Sequence, residues 1–124
     1  MKIPAGLKTL FLVHFVVALF FGLGELLVPG ALYQMLGVSI SDPEPYRMIG
    51  AAVLAFGASS WWAYKAAEWD KVKIVVQTEL VWTILASVLL LFGLLFLGRP
   101  AAEWLNFVIM AGFAAAFAYF YSKK

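Results

Sequence analysis

Residues 74–98 carry a single ionisable side chain, Glu79, in an otherwise apolar run. As a helix rising about 1.5 Å per residue, such a run is longer than the roughly 30 Å hydrocarbon core of a bilayer. The rest of the chain does not dilute it. Of 124 residues, 65% are hydrophobic and 13% charged, whereas soluble domains are nearer half apolar and a quarter charged. Lipid is therefore the expected solvent. A cytosolic enzyme, a secreted disulfide module and a disordered chain are excluded on that ground.

The apolar runs and their stop signals predict an all-α fold. Residues 1–124 are expected to form a single membrane domain, an antiparallel bundle of four transmembrane helices at about 7–28, 46–66, 74–97 and 101–121. Pro29 stops the first run, because it cannot continue a helical hydrogen-bond ladder. Ser41-Asp42-Pro43-Glu44 opens the second with a cap, a first-turn proline and a carboxylate three residues on. Gly98-Arg99-Pro100 separates the third from the fourth. Lys2 and Lys8 before an apolar run have the outline of a signal peptide. The run continues to Val28 with no small-x-small cleavage site after it, so an uncleaved first span is expected. The connection 29–41 is not polar. Ala31, Leu32, Tyr33, Met35 and Leu36 lie between Pro29 and Gly37, the pattern of a short helix in the outer interface.

Lysine and arginine set the orientation. Lys2, Lys8, Lys65, Lys71, Lys73, Lys123 and Lys124 fall on one side, and Arg47 and Arg99 on the other. Both termini are expected in the cytoplasm. Small residues recur every four positions at Ala51, Ala55, Ser59 and Ala63, and again at Ala111/Ala115 and Gly112/Ala116. Such stripes let helix backbones approach closely, within the bundle or between two copies of the chain.

An ionisable side chain at mid-membrane costs roughly 2.5–3.5 kcal/mol on insertion scales, so each needs a reason. His14 lies six residues past Lys8 and Glu79 six past Lys73, which predicts equal depth near the inner side. Ser59 and Ser60 reach about that level from the second span. Glu25, Arg47 and Asn106 form an outer layer, with an ion pair expected between Glu25 and Arg47. His14 and Glu25 are three helical turns apart and share a face. Glu79, Trp82 and Thr83 share another, and Arg47, Leu54 and Ala58 a third. Trp82 sits deep for a tryptophan, and its indole N–H is expected to find Glu79.

Several chemistries are disfavoured. There is no cysteine, so thiolate, disulfide and CxxC chemistry are absent. The sequence pI is about 9.0, but the net charge is only +2 and no basic patch with interleaved aromatics exists, so no nucleic-acid partner is expected. One histidine and two carboxylates at different depths make a poor metal site. Ser59 or Ser60 with His14 and Glu79 could compose a Ser–His–acid set, but no nucleophile elbow surrounds either serine. No phosphate-loop or dinucleotide motif occurs, and no cofactor is expected.

Pro29-Gly30-Ala31-Leu32-Tyr33-Gln34-Met35-Leu36-Gly37, followed by Arg47-Met48-Ile49-Gly50-Ala51-Ala52 and Gly57, resembles the small four-helix membrane proteins grouped near the DoxX-like families of bacteria and archaea. The resemblance covers about the first half of the chain. It implies four helices and an inner-membrane location, and carries no catalytic residue across. The cysteines of redox-linked members of that group are absent. With the small multidrug resistance transporters the chain shares only size and helix number.

Three functions are therefore weighed. One is a module that binds or transports a small apolar or amphipathic molecule, a lipid included. Its polar anchors would be Glu79, His14, Glu25, Arg47, Trp82 and Asn106, and it could be proton-linked through Glu79 and His14. The second is a structural or accessory subunit that packs in the bilayer against itself, as a homo-oligomer, or against a partner. The third is a lipid-modifying enzyme.

Overall fold

The computed structural model describes residues 1–124 as an all-α chain of five helices. They are α1 (Ala5–Leu27), α2 (Pro29–Met35), α3 (Glu44–Lys65), α4 (Trp69–Phe96) and α5 (Glu103–Ser122). The breaks fall where backbone chemistry requires them. Pro29 ends the α1 ladder and takes the first turn of α2, where its missing N–H is not needed. Gly37 at φ +80° and Gly98 at φ +63° adopt the left-handed conformation that closes α2 and α4. At Gly98 the turn is sealed by Leu97 N–H and Arg99 N–H, both donating to the Gly93 carbonyl. Asp42 accepts the Glu44 N–H at 3.1 Å at the start of α3.

One boundary moves substantially. α4 begins at Trp69, not near residue 74, and the turn before it shrinks to residues 66–68. Trp69, Val72 and Val76 are buried, so packing extends the helix through the stretch that carries Lys71 and Lys73. The N-terminal residues brace the same turn. Trp69 N–H donates to the Met1 carbonyl at 2.9 Å, and Ile3 N–H to Ala67 at 3.3 Å.

α1, α4 and α5 are long and apolar enough to cross a membrane, with mean hydropathy of 2.3, 2.3 and 1.5 in their most apolar stretches. Their outward faces are also apolar: Phe20, Leu89 and Val108 are 65%, 71% and 62% exposed. α3 is 22 residues long, but Arg47 and Lys65 near its ends, with its glycines, serines and tryptophans between, hold its hydropathy below theirs.

The helices form two tightly packed pairs, α1 with α3 and α4 with α5, which meet over a much smaller area. In the first pair, residue numbers rise along α1 as they fall along α3. A Cβ added at Gly57 would lie 2.9 Å from Ala18 Cβ. One at Gly50 would lie 2.7 Å from the Leu26 backbone nitrogen and 2.9 Å from the Gly22 carbonyl oxygen. The backbones thus touch directly, the close approach that small residues permit in lipid. The seam runs through Gly50, Gly57, Ser60 and Ala63, the buried residues of α3. It is offset from the expected stripe, because Ala51 and Ala55 are exposed and Ser59 only half-buried. The α5 stripe also turns outward, with Ala115 exposed and open space beside Gly112.

Between the pairs, one end is filled by a core of Ile3, Leu7, Phe11, Ala63, Trp69, Val72, Val76, Phe113 and Phe117. This is the end that carries both chain termini. The opposite end, beneath α2, is not filled.

Because Gly50 abuts backbone rather than a movable side chain, Gly50→Ala must push α1 and α3 apart. A loss of about 1–3 kcal/mol is expected, the usual range for overpacking. Gly112→Ala, facing open space, should leave the melting temperature in detergent unchanged.

Candidate functional site

Three helices are tied together by polar side chains inside the bundle. His14 on α1 is 4% exposed, and Ser60 and Glu79, on α3 and α4, are fully buried. His14 Nδ1 lies 2.8 Å from Ser60 Oγ. His14 Nε2 lies 3.1 Å from Glu79 Oε2. The second contact is close in distance but not aligned as a full hydrogen bond, and Glu79 Oε1 has no partner. The Phe113 ring meets the imidazole edge-on at a centroid distance of 4.9 Å, with Phe117 at 5.9 Å. Thr83, one turn on from Glu79, returns its hydroxyl to the Glu79 carbonyl at 2.6 Å.

The equal depth expected of His14 and Glu79 is thus met by their contact. Of the two serines at that level, Ser60 joins them. Ser59 instead donates to the Phe56 carbonyl at 2.7 Å. Ser60, His14 and Glu79 form the sequence of contacts a Ser–His–acid set requires. Ser60 nevertheless has no exposed surface and does not line the neighbouring cavity, so no substrate carbonyl can reach its Oγ. What the arrangement can do is share or pass a proton between an imidazole and a carboxyl group while it fixes α1 against α3 and α4.

Adjoining this knot is a cavity of about 490 Å³ whose lining residues come from all five helices. His14 lies at the end nearer the chain termini, and Glu25 and Tyr33 line the opposite end, where α2 covers it. The eleven residues from His14 to Glu25 span about 16 Å of helix. Most of the wall is apolar, with Ala18, Phe21 and Leu89 among the lining residues. Trp82 and Asn106 line it as well. Glu79 does not; it sits behind His14.

Two expected partnerships are replaced. Glu25 is not paired with Arg47. Glu25 Oε2 accepts the Tyr33 hydroxyl at 3.1 Å, while Arg47 is bound to Glu44 one turn earlier on α3. The physical reason is solvation. Arg47 and Glu44 are both exposed and meet without losing water, whereas reaching Glu25 would bury the guanidinium. Arg47 therefore does not belong to the inward face, although Leu54, expected on that face, does contact α1 at Gly22. Trp82 is not bonded to Glu79 either. It stacks on Phe56 at 5.2 Å and 18°, because its ring lies along the cavity rather than against the knot.

Two contributors escape the sequence. Tyr33 follows Glu25 by eight residues across the Pro29 break, and no helical period relates them. Burial, then the neighbouring Glu25 charge, push the Tyr33 phenol above its usual range, so it remains a donor. Arg99 and Glu103 stand four apart, a spacing that does signal an ion pair. Arg99 Nε donates to Glu103 Oε2 at 3.1 Å, and Nη2 contacts Oε1. The bond to Glu103 pushes Arg99 further above its already high range.

These pairings predict distinct double-mutant behaviour. Tyr33→Phe should destabilise the protein, and by less once Glu25 is already leucine, with a coupling of about 0.5–1.5 kcal/mol. Glu25→Leu with Arg47→Gln should be additive to within about 0.5 kcal/mol. Thermal unfolding in one detergent checks both.

No protein-family model matches the chain, and no curated protein or solved structure matches it either.

Proposed function

We propose that the chain is a small integral membrane protein that holds one apolar or amphipathic molecule between its helices. The supporting observation is the cavity of about 490 Å³, within the range of small-molecule sites, with apolar walls and a few convergent polar groups. His14, Glu25, Trp82 and Asn106 are its anchors. Glu79 acts through His14, holding the imidazole and exchanging a proton with it when the ligand comes or goes. Arg47 takes no part.

In this reading α3 is a fourth span. It matches α1 in length and packs along it, and its Gly50–Gly57 seam suits lipid better than water. The four spans run antiparallel, α2 lies in the outer interface, and both termini face the cytoplasm of a cell's inner membrane. Seven lysines gathered at the terminal end support that orientation. The same architecture is what the resemblance of residues 29–37 and 47–57 to the DoxX-like group implies.

Since the chain has no cysteine, single cysteines report topology cleanly. Asp70→Cys should resist a membrane-impermeant maleimide added outside cells, and Ser41→Cys should react with it; the reverse pattern would invert the orientation. Native mass spectrometry from mild detergent should find the chain carrying one apolar or amphipathic molecule. Ala86→Phe, which fills the cavity, should release it without loss of fold. A chain that is ligand-free under every mild condition would favour a purely structural role.

A further inference from the structure

We infer that the ligand carries a single positive charge, an ammonium-type head on an apolar body, and that Glu25 receives the head. This rests on the ligand-binding reading above and names the chemical class of its occupant.

Glu25 is 6% exposed and lines the outer part of the cavity. A carboxylate so placed needs a cation or several donors to offset the water it has lost. It has one donor, the Tyr33 hydroxyl on Oε2. No cationic side chain lies within ion-pair distance of it. Both cations at this end of the molecule are committed elsewhere, Arg99 to Glu103 and Arg47 to Glu44. The surroundings of Tyr33 thus hold two buried carboxylates, Glu25 and Glu103, against the one guanidinium of Arg99. The cavity mouth is short of one positive charge, and the carboxylate that lines it is Glu25.

The aromatic content of the wall fits the same occupant. Phe21 and Tyr33 line the cavity beside Glu25, and Tyr33 is backed by Tyr46 at a centroid distance of 4.5 Å. Ring faces attract a desolvated cation. Further in, toward His14, the walls are almost wholly hydrocarbon and suit an alkyl or aryl body. A neutral alcohol would leave the carboxylate without a counter-charge, and an anionic amphiphile would be repelled by it.

The test compares decyltrimethylammonium, decanol and decanoate by isothermal titration of the full chain in phosphatidylcholine nanodiscs. The unaltered chain should bind the cation saturably at one per protein, at least about tenfold more tightly than either other probe. Glu25→Gln keeps an oxygen to accept the Tyr33 hydroxyl and should fold normally. It should lose the preference for the cation and keep its affinity for decanol. The three-probe comparison on the unaltered chain needs no variant. Decanol binding as tightly as the cation, and weakened by Ala86→Phe, would overturn the charge assignment and leave the ligand-binding reading standing. A cation preference surviving in Glu25→Gln would overturn it too. Saturable binding of none of the three would overturn both.

Discussion

Inside a bilayer a polar side chain has no water to fall back on, so the Ser60–His14–Glu79 contact governs how the helices can sit. His14 reaches α3 with one ring nitrogen and α4 with the other, and the two phenylalanines against its ring belong to α5. A rotation of α1 by even one residue would carry the imidazole away from both Ser60 and Glu79. Leaving a buried polar group without its partner commonly costs about 1–3 kcal/mol. Shape-based packing in lipid has no comparable penalty for a slipped register, because lipid tails and leucines are nearly equivalent neighbours.

The knot also divides the interior. On the terminal side, Phe11, Phe113, Phe117, Leu7 and Val76 fill the space between the two helix pairs. On the other side, Gly50 and Gly57 draw α3 hard against α1, and the remaining gap toward α4 and α5 is edged by small residues such as Ala18 and Ala86. The cavity is thus the consequence of one pair packing too closely to reach the other. α2 covers it because Pro29 turns the chain back at once, so that Leu32 and Tyr33 lie against the top of α1.

Much of this was legible in the residues. Proline and glycine breaks locate the ends of the long helices to within about two positions, the start of α4 excepted, and the apolar run 29–37 points to α2. Counting from Lys8 and Lys73 placed His14 and Glu79 at one depth, since helical rise is nearly constant. Where expectation failed, the cause was rotation or solvation. Depth alone set Arg47 beside Glu25, but depth does not say which way a long side chain turns, and Glu44 offered a wetter partner. The stripe Ala51, Ala55, Ser59 and Ala63 leaves open whether it faces the bundle or a second copy, and within the chain the missing Cβ atoms of Gly50 and Gly57 decide the α3 seam. α4 started early because Trp69 and Val72 found buried places that local charge would not suggest.

His14 is the sole histidine of the chain, which makes the knot directly observable. With histidine labelled selectively with nitrogen-15, magnetic resonance of the protein in lipid should show one imidazole with two distinct, unaveraged ring nitrogens. Ser60→Ala should shift the Nδ1 signal and Glu79→Gln chiefly the Nε2 signal, each leaving the other nearly in place. A single averaged resonance, insensitive to both substitutions, would contradict the three-helix contact on which the cavity and its proposed occupant depend.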